Sequence, residues 1–340
     1  MPTWRQGMAV GEWRQVSGTA LSSAPMAVVS IGNTGPESKV GAWSGFAIDT
    51  RDSSIYSTAN GGHTDYAGNE VNRIRLSDNA PTWAEPRAST PPSQATASST
   101  HYADGRPASR HTCYGTVVNE VRGRAMTLGG SRWGNGSLLR NVDGFNLASN
   151  DWDSARTYSD FPSDFLECTG IVEQKSTGNV FAFTQSTVMR WSNASNSWSQ
   201  VLSGTPIYGQ YAATALDTRR NRVLVVGGSG GDHALYDVAA NSAQSVTLTG
   251  ANAGSVSGDG NGMVYDPYSD AFLVRRADAG GTIYRINAQT FAVDMLTSTG
   301  GSQLPSAPNG VWRRFLYVPA LKGTVYVPTY GGNLWFVRTY

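Results

Sequence analysis

Six times along the chain the same order of features returns: an apolar strand, a polar turn, a second apolar strand often closed by Gly-Gly, a third strand, a turn and an aromatic residue. The first unit carries Asp49 in its turn, Gly61-Gly62 at the end of its second strand and Trp83 in its fourth strand, and the second puts Asn119, Gly129-Gly130 and Trp152 in the same roles. Units ending at Trp198 and near Leu248 and Leu296 follow, and the sixth stops one strand short at Tyr340. The missing strand lies at the other end of the chain, because WRQVSG from Trp13 to Gly18 matches WSQVLSG from Trp198 to Gly204. Four short antiparallel strands per unit, recurring every ~45–70 residues, bury their flat faces only by stacking on neighbouring units. The pattern predicts an all-β chain: a single domain over residues 1–340, a six-bladed β-propeller closed by an N-terminal strand. Leu21 to Val40 belongs to no unit and leaves room for a seventh, degenerate blade.

The Gly-Gly pairs and the aromatic residue after the third-strand turn resemble kelch repeats. More narrowly, NGGHTDYAGNEV and YADGRPASRHTCYG, in the first two blades, look like segments of bacterial and phage galactose-oxidase-type propellers, and are similar to propeller polysaccharide lyases of the ulvan-lyase kind. The wider resemblance implies the fold. The narrower one implies a catalytic site of histidines, a tyrosine and an arginine, and by motif points first to His63 and His111.

Composition limits the partners. The net charge is +1, from 26 basic and 25 acidic residues, so no chain-wide field favours nucleic acid or an anionic membrane. No apolar run is long enough to cross a membrane as a helix, and the first residues lack the basic and apolar segments of a secretory signal. All but Lys39, Lys175 and Lys322 of the basic residues are arginine, the side chain suited to gripping carboxylates. The expected partner is an acidic polysaccharide, met outside the cell or on a virion. Oligomeric state is not legible.

In a propeller, loops between second and third strands share one face with the links that join blades, and loops on a rigid scaffold are the usual seat of function. That sorting gathers all four histidines, His63, His101, His111 and His233, on one face. It adds Tyr66, Arg110, Arg132, Trp133, Tyr208, Tyr211, Arg275, Arg276, Trp312, Arg313 and Tyr330. His101 is expected to be a surface loop residue. The link from Ala84 to His111, rich in Ser, Thr, Pro and Ala, is long enough to act as a lid or to be an insert.

Cleavage beside a uronate by β-elimination needs a cation on the carboxylate, a base for the proton on the adjacent carbon and an acid for the departing oxygen. Arg110 or Arg132 suits the first task, His63 or His111 the second, and Tyr66 or Tyr208 the third. Trp133 and Trp312 are placed to stack on sugar rings, and Tyr211, His233, Arg275, Arg313 and Tyr330 to bind the rest of the chain. The competing reading is a non-catalytic glycan-binding or adaptor propeller that uses the same side chains, as in a phage tail or cell-surface component. A kelch scaffold for protein partners is weaker, because these loops are mostly polar.

Glycoside hydrolysis needs two carboxylates across a bond; Asp65, Glu70, Glu167 and Asp232 lie toward this face without a specified pairing. A copper radical site would need a spacing that His63, His111, Tyr114 and Cys113 do not offer. No cofactor is required by this chemistry; a divalent cation, zinc first, would fall to His63, Asp65, His111 and His233. Cys113 and Cys168 occupy equivalent positions on adjacent blades, and buried free thiols are expected there.

Overall fold

Short β-branched and aromatic runs, cut by Asx and Gly turns, fold in the computed structural model into six four-stranded antiparallel sheets set around one axis. The structure describes residues 1–25, 31–162, 167–184, 186–204, 207, 209–228 and 232–340. Blade one comprises Ala47–Asp49, Ser54–Thr58, Val71–Arg75 and Ala84–Arg87; blade two Thr116–Asn119, Arg124–Leu128, Val142–Asn146 and Asp151–Trp152. Gly170–Gln174, Asn179–Phe183, Thr187–Ser192 and Ser197–Ser203 form blade three, and Ala213–Asp217, Arg222–Val226, Ala234–Asp237 and Ser242–Ser245 form blade four. Blade five is Gly262–Asp266, Ala271–Arg275, Ile283–Asn287 and Val293–Leu296. Blade six takes Phe315–Val318, Gly323–Tyr326 and Trp335–Arg338 from the end of the chain and Trp13–Gln15 from its beginning, with Trp13 opposite Val337. The expected ring and its closure are therefore present. Between Leu21 and Val40 the described residues form only short helical turns, including Ser38–Gly41, and no seventh blade.

Burial falls off from the axis outward. The inner strand of blade two is buried at all four positions, whereas the outer strand Ser242–Ser245 is mostly exposed. Apolar side chains gather between neighbouring sheets: Phe46, Ile55 and Ile74 meet Leu316, Val325 and Phe336 between blades one and six, and Leu224 and Val226 meet Phe272 and Val274 between blades four and five. The turns after inner strands are closed by their own Asx side chains, with Asp49, Asn119, Asp217 and Asp266 each accepting a main-chain N–H two or three residues on.

Just before its inner strand, each blade places one residue in the left-handed backbone region: Trp43, Cys113, Cys168, Tyr211, Gly260 and Trp312. Five of the six are not glycine, a conformation that costs on the order of 1–3 kcal/mol each and persists only where surroundings enforce it. The enforcement is a chain of main-chain bonds around the axis: Cys113 donates to Trp43, Tyr211 to Cys168, Gly260 to Tyr211 and Trp312 to Gly260. Between blades two and three the link is covalent. Cys113 and Cys168 form a disulfide with Cα atoms 5.1 Å apart, which corrects the expectation of free thiols. Inner strands converge at the axis closely enough for the bridge.

Two further connections cross the axis. The Tyr114 hydroxyl donates to the carbonyl of Asn261 in blade five at 2.7 Å, and Arg313 reaches from blade six to both carboxylate oxygens of Glu173 in blade three at 2.7 and 2.9 Å. Below them a cavity of about 450 Å³ runs between inner strands and opens on the face of the first-to-second-strand turns, beside Lys175, Thr218 and Pro267. Among the described residues no helix is long and apolar enough to cross a membrane.

Candidate functional site

The Ala84–His111 link begins with blade one's own outer strand, Ala84–Arg87, and ends in a two-residue strand, Arg110–His111, so its irregular part is shorter than its sequence indicated. Arg110–His111 pairs with Ser131–Arg132, which sets His111 opposite Ser131. The Gly61-Gly62 turn lies against this ribbon, Gly61 donating to the Arg110 carbonyl and Gly62 to the Ser109 hydroxyl. Gly62 has φ +69°, and a Cβ there would collide with the main-chain nitrogen of His111. The conspicuous Gly-Gly pair thus serves close approach of backbone to backbone.

That packing brings His63 to His111. Their rings stand edge to face with centroids 5.7 Å apart; His63 is exposed, while His111 is 2% exposed. His111 Nε2 lies 2.8 Å from Asp65 Oδ2, and its Nδ1 faces Glu167 Oε1 at 3.7 Å. A carboxylate therefore stands at each ring nitrogen, whichever of them holds the proton. Glu167 also accepts a short hydrogen bond from the Ser131 hydroxyl. Its carboxyl is held below the usual range, first by His111 and then, against burial, by Ser131. The indole of Trp43 lies 5.1 Å from the His111 ring and is 36% exposed. Tyr211 is half-buried, and burial, with the Glu167 charge second, raises its pKa, so its hydroxyl keeps its proton.

The other side chains singled out from sequence are placed as follows. Arg132 is half-exposed, held by Asn135 and the Ser98 carbonyl beside the ribbon. Arg110 is fully buried and bound to Asp143 at 2.9 Å, with the Ala108 and Gly129 carbonyls, so it presents nothing to a ligand on this face. His101 is not a free surface residue: its Nε2 lies 2.8 Å from the same Asp143. Tyr66 is fully buried, its hydroxyl donating to Glu70. Trp133 packs with Tyr66 and Tyr102 beneath the loops, and Trp312 packs on Tyr114 and Tyr211, so both indoles are interior and not stacking platforms. Arg275 is buried between blades, Arg276 lies at the surface 3.8 Å from Asp278, and Arg313 is engaged by Glu173 on the axis. His233 contacts the Gly227 amide and Ser257, and burial lowers its pKa. Tyr330 is half-buried against the core between blades one and six. Tyr208 lies outside the described residues. Among the described residues no three His, Cys, Asp or Glu side chains group as a cation cage.

Glu167 and Trp43 complete the site. In the sequence Glu167 is one carboxylate of several on this face, and Trp43 stands before its inner strand as Cys113 does. The cavity of about 450 Å³ is elsewhere, at the opposite mouth of the axis, where Glu173, Lys175 and Arg313 are paired with one another and with Glu120. Proton chemistry is better served by the histidine face, which has an exposed imidazole. The fold and this cluster define a six-bladed propeller with an exposed histidine against a carboxylate-held one on its loop-rich face. Compared with known proteins, the chain matches no protein-family model and no curated sequence.

Proposed function

We propose that the histidine face cleaves a uronate-containing acidic polysaccharide, outside the cell, by β-elimination. The observation that carries this reading is an exposed imidazole, His63, standing against a buried one, His111, that Asp65 holds at 2.8 Å. An acceptor for a carbon-bound proton must be both accessible and oriented. His63 takes that proton, the electron pair forms the new carbon–carbon double bond, the bond to the leaving oxygen breaks, and Tyr211 protonates that oxygen. Arg132 is the cation for the uronate carboxylate, since Arg110 is enclosed. Trp43 offers a ring face for an adjoining sugar.

A second reading is a non-catalytic glycan-binding propeller. Its support is the burial of Arg110 and Tyr66, two of the side chains that suit the chemistry by sequence. A panel of uronate polysaccharides, followed by ultraviolet absorbance of the unsaturated product, separates the two. Activity that His63→Ala lowers by about a hundredfold or more, with circular dichroism unchanged, supports elimination. Polysaccharide binding with no product on any substrate leaves the binding reading, and neither signal ends both.

A further inference from the structure

Between blades five and six two guanidinium groups lie inside the protein. Arg275, at the end of blade five's second strand, is 0% exposed, and Arg314, leading into blade six, is 3% exposed. Both lie over the ring of Tyr326, at 4.7 and 5.7 Å from its centroid. Their hydrogen bonds end on main-chain carbonyls alone: Arg275 on Asp278 and Pro305 at 3.3 Å each, Arg314 on Pro328 at 2.8 Å and on Gly310. Arg275 Nε and Nη1 and Arg314 Nε make no hydrogen bond. The Tyr326 hydroxyl is close enough to favour the charge on Arg275, and it too is buried without a hydrogen-bond partner.

Two other buried cations have a carboxylate partner: Lys39 has that of Glu70 at 2.8 Å and Arg110 that of Asp143 at 2.9 Å. Buried Arg5 bonds, among the described residues, the Leu321 carbonyl alone, but it stands singly, whereas Arg275 and Arg314 share one ring. Among the described residues, neither Arg275 nor Arg314 has a carboxylate in contact; that of Asp278 is half-exposed and lies near Arg276. Burial lowers the pKa of both arginines, and Arg275 opposes the charge of Arg314. Yet a guanidinium does not give up its proton in a protein, and an isolated buried charge is costly. Carbonyl dipoles and one π face offset part of that cost. Buried donors with no acceptor in a folded chain point to a bound water or ion, and water brings no charge.

We propose that a small inorganic monovalent anion, of the size of chloride, is held between blades five and six by Arg275 and Arg314, with the Tyr326 hydroxyl donating to it. The wedge is closed to solvent, which excludes a sugar acid. The inference is independent of what the histidine face does.

The test is thermal melting in sodium gluconate, whose anion is a bulky sugar acid, with chloride or bromide exchanged in at constant ionic strength. A saturable rise of a few degrees with chloride and bromide is expected, and Arg275→Met, whose side chain fills the space of the arginine stem, should lose it. Crystals grown in bromide should give an anomalous peak between Arg275 and Arg314, a readout that stands if the variant does not fold. Equal melting in gluconate and chloride with no bromide peak would overturn the proposal, as would a chloride response that persists in Arg275→Met.

Discussion

Lys39 and Glu70 are both fully enclosed, joined at 2.8 Å, with Tyr66 donating to the same carboxylate. The pair ties the segment before blade one to the end of its second-to-third-strand loop. Removing one member of such a pair leaves a bare buried charge, whereas removing both does not. Lys39→Met is therefore expected to lower unfolding free energy in urea by about 3–5 kcal/mol, and adding Glu70→Leu should recover most of it. A failure of the double variant to recover would mean that Glu70 matters chiefly through Tyr66. Glu167 gives a pH-dependent counterpart. Its folded pKa is depressed from 4.5, so the stability it contributes is present above that value and is lost as pH falls through the folded pKa. Glu167→Gln should flatten the acid side of the stability curve below about pH 4.5, as read by melting temperature against pH.

The elements that distinguish the histidine face are the six left-handed residues and the disulfide that replaces one bond of their ring. Cys113 lies two residues beyond His111, and Cys168 directly follows Glu167, so the bridge fixes two links that meet at the site. Closing a loop with a sequence separation of 55 is worth roughly 4 kcal/mol by chain entropy. Reduction, or Cys113→Ser with Cys168→Ser, should lower the urea midpoint accordingly without changing strand content by circular dichroism. The blades, their Asx turns and the closing strand Trp13–Gln15 were legible because each is a local pattern repeated along the chain. The bridge was not, because it depends on how closely inner strands converge. Nor was the enclosure of Arg110, which turns on Asp143 from another strand, or the approach of Glu167 to His111. Trp43 was within reach: aligning the residues that precede each inner strand would have set it beside Cys113 and Trp312.

For the whole molecule the core is a ring of wedges, and each sheet depends on its two neighbours. Among the described residues only blade six joins distant parts of the chain in one sheet, through Trp13, Arg14 and Gln15 against Val337, Phe336 and Trp335. Trp13 also packs with Leu273 and Ile283 of blade five and donates its indole N–H to Gly281 at 2.7 Å. Removing residues 1–18 should leave an open ring with an earlier and broader urea transition, and adding a peptide of residues 1–18 in trans should restore the midpoint. If the peptide does not bind, closure is not an independent docking step. The same arrangement sets a schedule during synthesis. Trp13–Gln15 leaves the ribosome about 320 residues ahead of its partner Trp335–Arg338. At about 5–20 residues per second, the first strand waits tens of seconds with its backbone unpaired. Until Trp335–Arg338 emerges, that waiting segment is an open strand that a second nascent copy, or a chaperone, can capture.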